Sequence, residues 1–418
     1  MIAVKKLFFC VVTISVFLCV VMYCLMQRKN SQVIRDSVQY GSRVFTPDRV
    51  IENNLNDLAH YGLSQLQVDS FRNDSASPAL ISRQNISFYQ NVKGLGMDSQ
   101  MTNGVPIEAH RLAMTAIQNV EHINIGDFVK MKADEQNSTY IKALKLVGYT
   151  KRLPTVINIG AKKAGTTALQ IFLSSHPQIA SSLNHMEIHY FDWNYDKGID
   201  YYRSRFQYSK ESQEVFEKTP RYFITEEAPR RIKEDISPNV KIILVVRDPV
   251  KRAMSDYNHV RWVKRSLSTQ LALREPHTED TFEKTVFTKN GEVNADSELV
   301  HAGKYAMHLK RWLEYFPLNQ ILVLDGIELS TYPLTQMRKV EQFLGLQPYF
   351  TQEHFGYHEK LHVYCLVKPV NKCRYNSNHK SPEIILSDGL RNTLYDFYRA
   401  YNRELEEMLN QTFAWSNL

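Results

Sequence analysis

The sequence predicts an α/β fold, in which a P-loop-like parallel β-sheet is flanked by helices. Apolar strand candidates recur at residues 156–159, 214–217, 241–246 and 321–324, and helical patterns such as 305–315 lie between them. Strands that alternate with helices are joined by crossover connections, and these produce a parallel sheet. A glycine-bounded turn follows the first strand. The chain has 418 residues, which is more than one such domain needs, so accessory regions are expected.

The N-terminal region predicts a membrane anchor followed by a stem. Residues 7–26 contain no charged side chain, and an apolar helix of that length crosses about 30 Å of hydrocarbon. The stretch ends without the small residues of a cleavage site, which favours an uncleaved anchor over a signal peptide. Residues 27–150 are polar and lack sustained periodicity. We therefore predict a cytoplasmic tail at 1–6, an anchor at 7–26, a stem at 27–150 and a catalytic domain at 151–418.

Cysteines and sequons suggest on which side of the membrane the bulk of the chain lies. Three cysteines fall inside the predicted anchor, and the other two, Cys365 and Cys373, are eight positions apart. Such a pair favours one local disulfide in an oxidising compartment, with two free thiols or half of a zinc site as alternatives. Sequons begin at Asn73, Asn85, Asn137 and Asn410. Together these features predict a C-terminal domain in the secretory lumen.

The turn after the first strand has the composition of an anion site. Residues 160–167 read GAKKAGTT and precede a helix-like segment. Free N–H groups at a helix N-terminus and the helix dipole both favour negative charge. In a nucleoside triphosphate loop, lysine directly follows the second glycine, but here that position is Thr166. We expect a phosphate-like ligand that is not held as in an ATPase. An ordinary turn with solvated lysines is the alternative.

Two further strand ends carry cations. The sequence VVRDP, residues 245–249, places Arg247 at the carboxyl edge of the sheet, where open α/β sheets bind ligands. Arginine suits bidentate phosphate recognition, and a helix opened by Pro249 would carry Ser255 towards the same side. An Arg–Asp surface pair with a helix cap is the alternative. Lys218, which follows strand 214–217 beside a rigid X-Pro turn, could contact developing negative charge.

Residues 187–193, EIHYFDW, place one acid and one imidazole among aromatic residues. In an extended segment Glu187 and His189 would face the same way, and apolar neighbours would raise the pKa of the carboxyl towards the range of a general base. A structural salt bridge of Glu187 is the alternative. His185 and His189 also flank Glu187, but the spacing is not H-E-x-x-H and no third ligand is apparent, so we expect no metal.

This set of segments resembles the heparan sulfate sulfotransferases, and among them especially the glucosaminyl 3-O-sulfotransferases. The shared motifs are GxxKxGTT at 160–167, ExHxFD at 187–192, EKTP at 217–220 and RDPxxRxxSDY at 247–257. The resemblance covers about residues 153–415. It implies a sulfotransferase fold, a single-pass type II Golgi membrane enzyme with a luminal catalytic domain, and 3′-phosphoadenosine 5′-phosphosulfate as donor. It also implies heparan sulfate or a related anionic glycan as partner, with no nucleic acid and no metal.

The resemblance further implies roles for single residues. The 5′-phosphosulfate would be cradled by Lys163, Ala164, Gly165, Thr166 and Thr167. Other donor contacts would be Arg247 and Ser255 at the 3′-phosphate, with Tyr364 and Lys380 near the nucleotide. The catalytic residues would be Glu187 as base, with Lys218 and Lys163 stabilising charge. The glycan cleft would be lined by Glu187, His189, Asp192, Lys218 and Arg221. Cys365 and Cys373 would form the disulfide of the family.

Two departures from the family pattern keep other activities open. Thr167 stands where many 3-O-sulfotransferases have arginine, which points towards an N-sulfotransferase or, more broadly, another glycan sulfotransferase such as a 6-O-enzyme. The family has a loop with several cations after its second cysteine, but in this sequence only Lys380 keeps a cation near that place. An inactive glycan-binding protein on the same fold is therefore an alternative. A kinase-like transferase is disfavoured by the lysine positions. The net charge of +7 suits an acidic partner but does not identify one.

Overall fold

A computed structural model of the protein describes residues 105–119, 133–266, 273–359, 362–369, 371 and 383–418. The chain divides into two units, Met1–Gly96 and Met97–Leu418, and all described residues belong to the second. The predicted tail and anchor, most of the predicted stem, Cys373 and Lys380 lie outside the described residues. Within the described part of the chain, no helix has the length and apolar character needed to cross a membrane.

The described strands, in chain order, are β1 (Thr150–Lys151), β2 (Val156–Gly160), β3 (Ile179–Ser181), β4 (Tyr208–Ser209), β5 (Glu214–Lys218), β6 (Lys241–Val246), β7 (Ile321–Asp325), β8 (Phe355–His358) and β9 (Val363–Leu366). Five of them form a sheet in the order β3-β5-β2-β6-β7, and every pair in it is parallel. The prediction of a parallel sheet is therefore confirmed. Four of its strands match the predicted ranges to within one residue, and β3 was not predicted.

The described α-helices are α1 (Ile107–Asn119), α2 (Ala133–Leu146), α3 (Thr166–Leu173), α4 (Gly198–Ser204), α5 (Ala228–Asp235), α6 (Pro249–Ser266), α7 (Phe282–Val286), α8 (Glu298–His301), α9 (Tyr305–Leu313), α10 (Gly326–Thr331), α11 (Pro333–Leu344) and α12 (Asp388–Leu409). Short 3₁₀ turns at Leu183–His185, Tyr195–Lys197, Pro220–Phe223, Leu318–Gln320 and Gln352–His354 join several of them. Helix α1 packs against α2, and both lie within the range predicted as stem.

The central strands are buried because their sequences are largely apolar, with Asn158 of β2 as a buried polar exception. All five residues of β2 are buried, as are residues 242–246 of β6. A strand with helices on both faces needs apolar side chains in both directions, which explains the continuous runs. Each fully buried side chain of this kind contributes about 1.5–3 kcal/mol to folding. This burial fixes the sheet as the rigid support of the strand ends.

The order of the strands brings three predicted segments together. β2 lies between β5 and β6, so the chain passes from β2 to one side of the sheet, returns through β5, and then crosses to β6 on the other side. Such a switch point creates a crevice at the carboxyl edge of an open α/β sheet. The turn after Gly160, the turn after Lys218 and the turn after Val246 all meet at this edge.

The C-terminal helix α12 is amphipathic. Its sequence carries apolar residues at spacings of three and four, namely Leu390, Leu394, Phe397, Tyr401, Leu405 and Met408, and this pattern predicts a buried face. In α12 the buried residues are Leu394, Tyr398, Asn402 and Leu405. Tyr398 turns inward because its hydroxyl donates a 2.9 Å hydrogen bond to the carbonyl of Val300. Leu390, Phe397 and Met408 of the apolar pattern are half-buried and pack against the core, and the buried Tyr398 adds a polar contact to this face.

Candidate active site

The loop between β2 and α3 forms a tight cradle. The N–H of Ala164 donates to the carbonyl of Ala161 at 3.0 Å, and the N–H of Ala161 donates to Val245 of β6 at 2.7 Å. Lys163 and Gly165 have φ values of 70° and 117°, which lie in the left-handed region that glycine adopts most readily. The loop therefore turns sharply before α3, and Gly165 is the N-cap without a side-chain hydrogen bond.

A second glycine, which directly follows β7, leaves room for this turn. A Cβ atom added to Gly326, at the junction of β7 and α10, would lie 1.9 Å from the carbonyl oxygen of Ala164. Any side chain there would displace the loop, since real carbon–oxygen contacts are much longer. The cradle is consequently held by two further strands of the sheet, by β6 through Ala161 and by β7 through Gly326.

The two lysines of the loop have different surroundings. Lys162 Nζ lies 3.2 Å from Asp256 and 2.6 Å from Glu275, and although burial opposes it, these carboxylates raise the pKa of Lys162. Lys163 forms no hydrogen bond or ion pair with any residue that the structure describes. Burial lowers the pKa of Lys163, and the charges that act on it include Glu187 and Arg247. Lys163 is thus the loop cation available to an anionic ligand.

The segment after β6 combines a helix cap with an unpaired arginine. The buried carboxylate of Asp248 accepts the N–H groups of Val250 at 2.9 Å and Lys251 at 3.1 Å, which caps α6. Arg247 is fixed through its carbonyl, which accepts the Tyr305 hydroxyl at 2.8 Å. Its guanidinium has no ion pair or hydrogen bond to a described residue, so the alternative of an Arg–Asp pair is not observed. Half-buried Ser255 follows on α6.

The predicted base lies in a network of charges. Lys218 at the end of β5 donates a hydrogen bond to one oxygen of Glu187, and His189 Nε2 lies 3.5 Å from the other. His189 Nδ1 is 2.8 Å from Asp192. The segment is not extended, because His189 has a φ of 52°. Glu187 and His189 therefore meet through a turn and not through the alternation of a strand.

The expected rise in the pKa of Glu187 is wrong. Burial by itself would raise this pKa, but the hydrogen bond from His189 and the ammonium of Lys218 lower it to about 2. His189 behaves in the complementary way: burial would lower its pKa, whereas Asp192 and Glu187 raise it. The sequence revealed the apolar neighbours of Glu187 but not the two cations that the fold brings to it. Glu187 is accordingly a carboxylate, and the imidazole favours its charged form.

Aromatic packing surrounds this network. The ring of Trp193 stacks on His189 with centroids 3.7 Å apart and planes 12° apart. Arg221, predicted to line the glycan cleft, forms a bidentate pair with Glu298 at 2.5 and 2.8 Å. Its guanidinium also lies 5.8 Å from the centroid of Trp193. All five residues predicted for the acceptor side are therefore neighbours in the structure.

Two groups near the site received no role in the sequence analysis. Glu217 is fully buried beside Lys218 and accepts the Tyr202 hydroxyl at 3.2 Å and the Thr219 hydroxyl. Burial raises the pKa of Glu217 to about 7. Arg252 pairs with Asp256 at 2.9 Å beneath Lys162. Both lie within the EKTP and RDP motifs, but the motifs alone do not show which polar residues face inward.

The predicted C-terminal donor contacts are described only in part. Tyr364 lies on β9, which contacts helix α3, and its ring is 5.3 Å from that of Tyr357. Cys365 is buried and disulfide-bonded. Its predicted partner, Cys373, and the cation Lys380 lie outside the described residues, so both predictions remain untested. Among the residues that are described, no group of three His, Cys, Asp or Glu is placed to hold a metal ion.

Comparison with known proteins agrees with this geometry. A model of the sulfotransferase domain matches residues 153–379. The chain is 37% identical over 279 residues to heparan sulfate glucosamine 3-O-sulfotransferase 3A1 of Mus musculus, covering 65% of this chain and 67% of that protein. It is 36% identical over 278 residues to heparan sulfate glucosamine 3-O-sulfotransferase 5 of Homo sapiens, covering 65% and 77%.

Among solved structures, the chain is similar to a sulfotransferase from Alicyclobacillus acidocaldarius with 22% identity and a TM-score of 0.47, over 63% of this chain and 99% of the other. The sequence relatives decide the assignment, because the family model spans more than half of the chain and the relatives exceed 35% identity. The predicted family is confirmed. The chain belongs to the sulfotransferase domain family and, within it, to the heparan sulfate glucosamine 3-O-sulfotransferases.

Proposed function

We propose that the protein transfers a sulfuryl group from 3′-phosphoadenosine 5′-phosphosulfate to the 3-hydroxyl of glucosamine units in heparan sulfate. One observation carries the proposal: Lys218, which donates to Glu187, ends strand β5 beside the end of β2, where the anion cradle with Lys163 begins. Transfer from an anionic donor to a hydroxyl requires a base next to a site whose positive charges bind the anion. The names of the relatives supply the sugar and the position.

The residues of the cradle fit an anionic donor. Lys163 and Arg247 are two cations without an ion pair in the described structure, and they follow the neighbouring strands β2 and β6. The first turn of α3 adds N–H groups and the hydroxyls of Thr166 and Thr167, and a helix N-terminus favours negative charge. A ligand with two separated anionic groups, such as a nucleotide with a 3′-phosphate and a 5′-phosphosulfate, satisfies both cations. Ser255 on α6 adds a hydroxyl on the Arg247 side.

The residues of the acceptor segment fit proton removal. Glu187 would take the proton of the 3-hydroxyl as that oxygen forms its bond to sulfur, while the bond from sulfur to the 5′-phosphate oxygen breaks. Lys163 would balance the charge that develops on this phosphate, and Lys218 the charge on the sulfuryl oxygens. If Lys218 turns from Glu187 towards the sulfuryl group, the pKa of Glu187 rises from its value of about 2. Glu187 then becomes a stronger base at the moment of transfer.

His189 and Asp192 would orient the base. His189 donates towards Glu187 while its other ring nitrogen is held by Asp192, so the imidazole has one orientation. The stacked Trp193 ring restricts it further. This arrangement supports positioning of the base, which lowers the barrier of a two-substrate transfer.

The deciding experiment measures transfer of labelled sulfate from the donor to heparan sulfate by the purified full-length chain. The product is digested to disaccharides to locate the label. We expect label on the 3-hydroxyl of glucosamine. Label on nitrogen or on the 6-hydroxyl would contradict the proposed position, and glycan binding without transfer would contradict the enzymatic proposal.

A matched pair of variants links the activity to the cradle. Lys163→Ala should abolish donor binding and transfer, whereas Lys339→Ala should leave both unchanged, because Lys339 is half exposed on α11 and pairs with Glu328 at 3.7 Å. Equal activity of the two variants would contradict the assignment of the cradle.

The proposal includes a Golgi location, with the catalytic domain in the lumen behind the predicted anchor at residues 7–26. The uncharged stretch and the four sequons support it. Protease protection of the domain in intact vesicles, together with a mass shift after removal of N-glycans, tests this part. Cleavage by added protease without detergent would contradict it.

A further inference from the structure

The short segment 273–276 lies between the donor cradle and the acceptor segment. Glu275 is only 9% exposed at its side chain and accepts from Lys162 of the cradle at 2.6 Å. Lys264 of α6 donates to the carbonyl of Pro276 at 2.9 Å. These two contacts fix the segment to the cradle and to α6. Arg274, which directly precedes Glu275, is therefore held in a defined position.

That residue, Arg274, reaches the acceptor side. Its guanidinium lies over the ring of Trp193, 5.0 Å from the centroid. Trp193 stacks on His189, and His189 contacts Glu187. A cation over an aromatic face is held by the ring quadrupole without using its hydrogen-bond donors. Arg274 is therefore two aromatic rings away from the proposed base and keeps its N–H groups free.

The availability of Arg274 distinguishes it from other cations around the acceptor segment. Lys218 donates to Glu187, and Arg221 is paired with Glu298. Arg274 is exposed and has no ion pair or hydrogen bond with a residue in the described part of the chain. An exposed arginine held in place by an aromatic ring is suited to bidentate recognition of a sulfate or a carboxylate.

We propose that Arg274 is an acceptor-specificity residue, which binds an anionic substituent of the glycan close to the sugar that receives the sulfuryl group. The inference rests on the proposed function, since it names a contact of the same acceptor site. Glu275 fixes the segment to the donor cradle, while Arg274 meets the acceptor. The neighbouring residues Arg274 and Glu275 thus connect the acceptor site and the donor cradle through one short stretch of backbone.

The test compares Arg274→Ala with the full-length wild-type chain in transfer assays and in direct glycan binding with 3′-phosphoadenosine 5′-phosphate present. We expect KM and the dissociation constant for sulfated heparan oligosaccharides to rise about tenfold or more, as for loss of a charge-assisted hydrogen bond. The kcat and the affinity for the nucleotide should remain within about twofold, which also shows that the variant is folded. Arg274→Lys should give an intermediate value.

Modified acceptors identify the anionic group. If a sulfate is bound, wild type and Arg274→Ala should have equal KM on oligosaccharides that lack it. If a uronate carboxylate is bound, the equality should instead appear on carboxyl-reduced oligosaccharides. Equal KM values of wild type and Arg274→Ala on either modified acceptor support the inference. A tenfold difference in KM that persists on both the desulfated and the carboxyl-reduced oligosaccharides overturns it.

The matched control is Arg399→Ala, which removes an arginine from the exposed face of α12, where it pairs with Asp396 at 2.6 Å. We expect this variant to match wild type. If Arg274→Ala also matches wild type in KM and glycan binding while transfer itself persists, the inference fails and the proposed function stands. Absence of transfer in the wild-type chain would instead contradict the proposed function.

Discussion

The donor cradle and the acceptor segment reach the same edge of the sheet by different means. The cradle is a local backbone structure, in which β2, a turn with two left-handed residues and the first turn of α3 follow one another directly. The acceptor segment, residues 187–193, has no regular structure and is held by side chains from elsewhere, such as Lys218 of β5. Backbone geometry supplies the anion site, whereas a side-chain network supplies the base.

This difference predicts different responses to substitution. A change in the acceptor segment should alter the chemical step and leave the donor in place. A change at the backbone of the cradle should weaken donor binding. The following variants test this separation, from the largest expected effect to the smallest.

Glu187→Gln should have the largest effect. The amide cannot accept the proton of the sugar hydroxyl, so kcat should fall by about 10²–10⁴-fold, while the affinity for 3′-phosphoadenosine 5′-phosphate changes little. Transfer kinetics and calorimetric nucleotide binding measure the two quantities. The control is Glu353→Gln, which removes a carboxylate that also pairs with a lysine, Lys368 at 2.8 Å, but on the exposed surface. Turnover retained by Glu187→Gln would remove Glu187 from the role of base.

Gly326→Ala should act on the cradle. The new Cβ would lie 1.9 Å from the carbonyl oxygen of Ala164, so the loop must move, at a cost of about 1–3 kcal/mol. We expect the dissociation constant for the nucleotide to rise about tenfold or more. Gly389→Ala is the control, because a Cβ on Gly389 meets no atom within 4 Å. Unchanged nucleotide affinity in Gly326→Ala would show that the cradle tolerates displacement.

Asp192→Asn should have a smaller and pH-dependent effect. Against the effect of burial, Asp192 and Glu187 raise the pKa of His189, so removal of one carboxylate should lower this pKa. If the imidazolium orients Glu187, kcat should fall about tenfold at pH 7.5 and less at pH 5.5, where the ring stays protonated. The pH profile of kcat measures this. An equal decrease of kcat at all pH values would contradict the electrostatic role of Asp192 and would indicate a steric role instead.

Glu217→Gln should change stability more than chemistry. Burial raises the pKa of Glu217 from 4.5 to about 7, so the folded protein retains a proton that the unfolded chain has released. The free energy of unfolding therefore falls as pH rises from 4.5 through 7, by about 3 kcal/mol in total. Glutamine carries no such proton and should flatten this dependence. Urea unfolding at pH 5 and pH 8 compares the two chains, and parallel curves would contradict the raised pKa.

The regular parts of the site were predictable because they depend on neighbours in sequence. The strand ranges, the anion turn and the helix opened by Pro249 follow from apolar runs, glycine positions and the fixed φ of proline. The position of Arg247 at a strand end follows in the same way. Strand β3 was missed because three residues give too short an apolar pattern to recognise.

The electrostatic state of the site was not predictable, since it depends on residues that are distant in sequence. Lys218 is 31 positions from Glu187, and the hydrogen bond from nearby His189 and the ammonium of Lys218 together reverse the expected direction of the Glu187 pKa. The same holds for Lys162, whose partner Glu275 lies 113 positions away. Sequence indicated two similar loop lysines, and only the structure distinguishes the paired Lys162 from the unpaired Lys163.

The sequence by itself determined the family, the α/β fold and the residues of the cradle and the acceptor segment, because these are encoded in local patterns and motifs. The tertiary structure decided which of those groups meet and in which charge state. It paired Lys218 with Glu187, turned His189 towards Asp192, and placed Gly326 against Ala164. The physical reason is that burial and charge act through space, and the strand order β3-β5-β2-β6-β7 sets those distances.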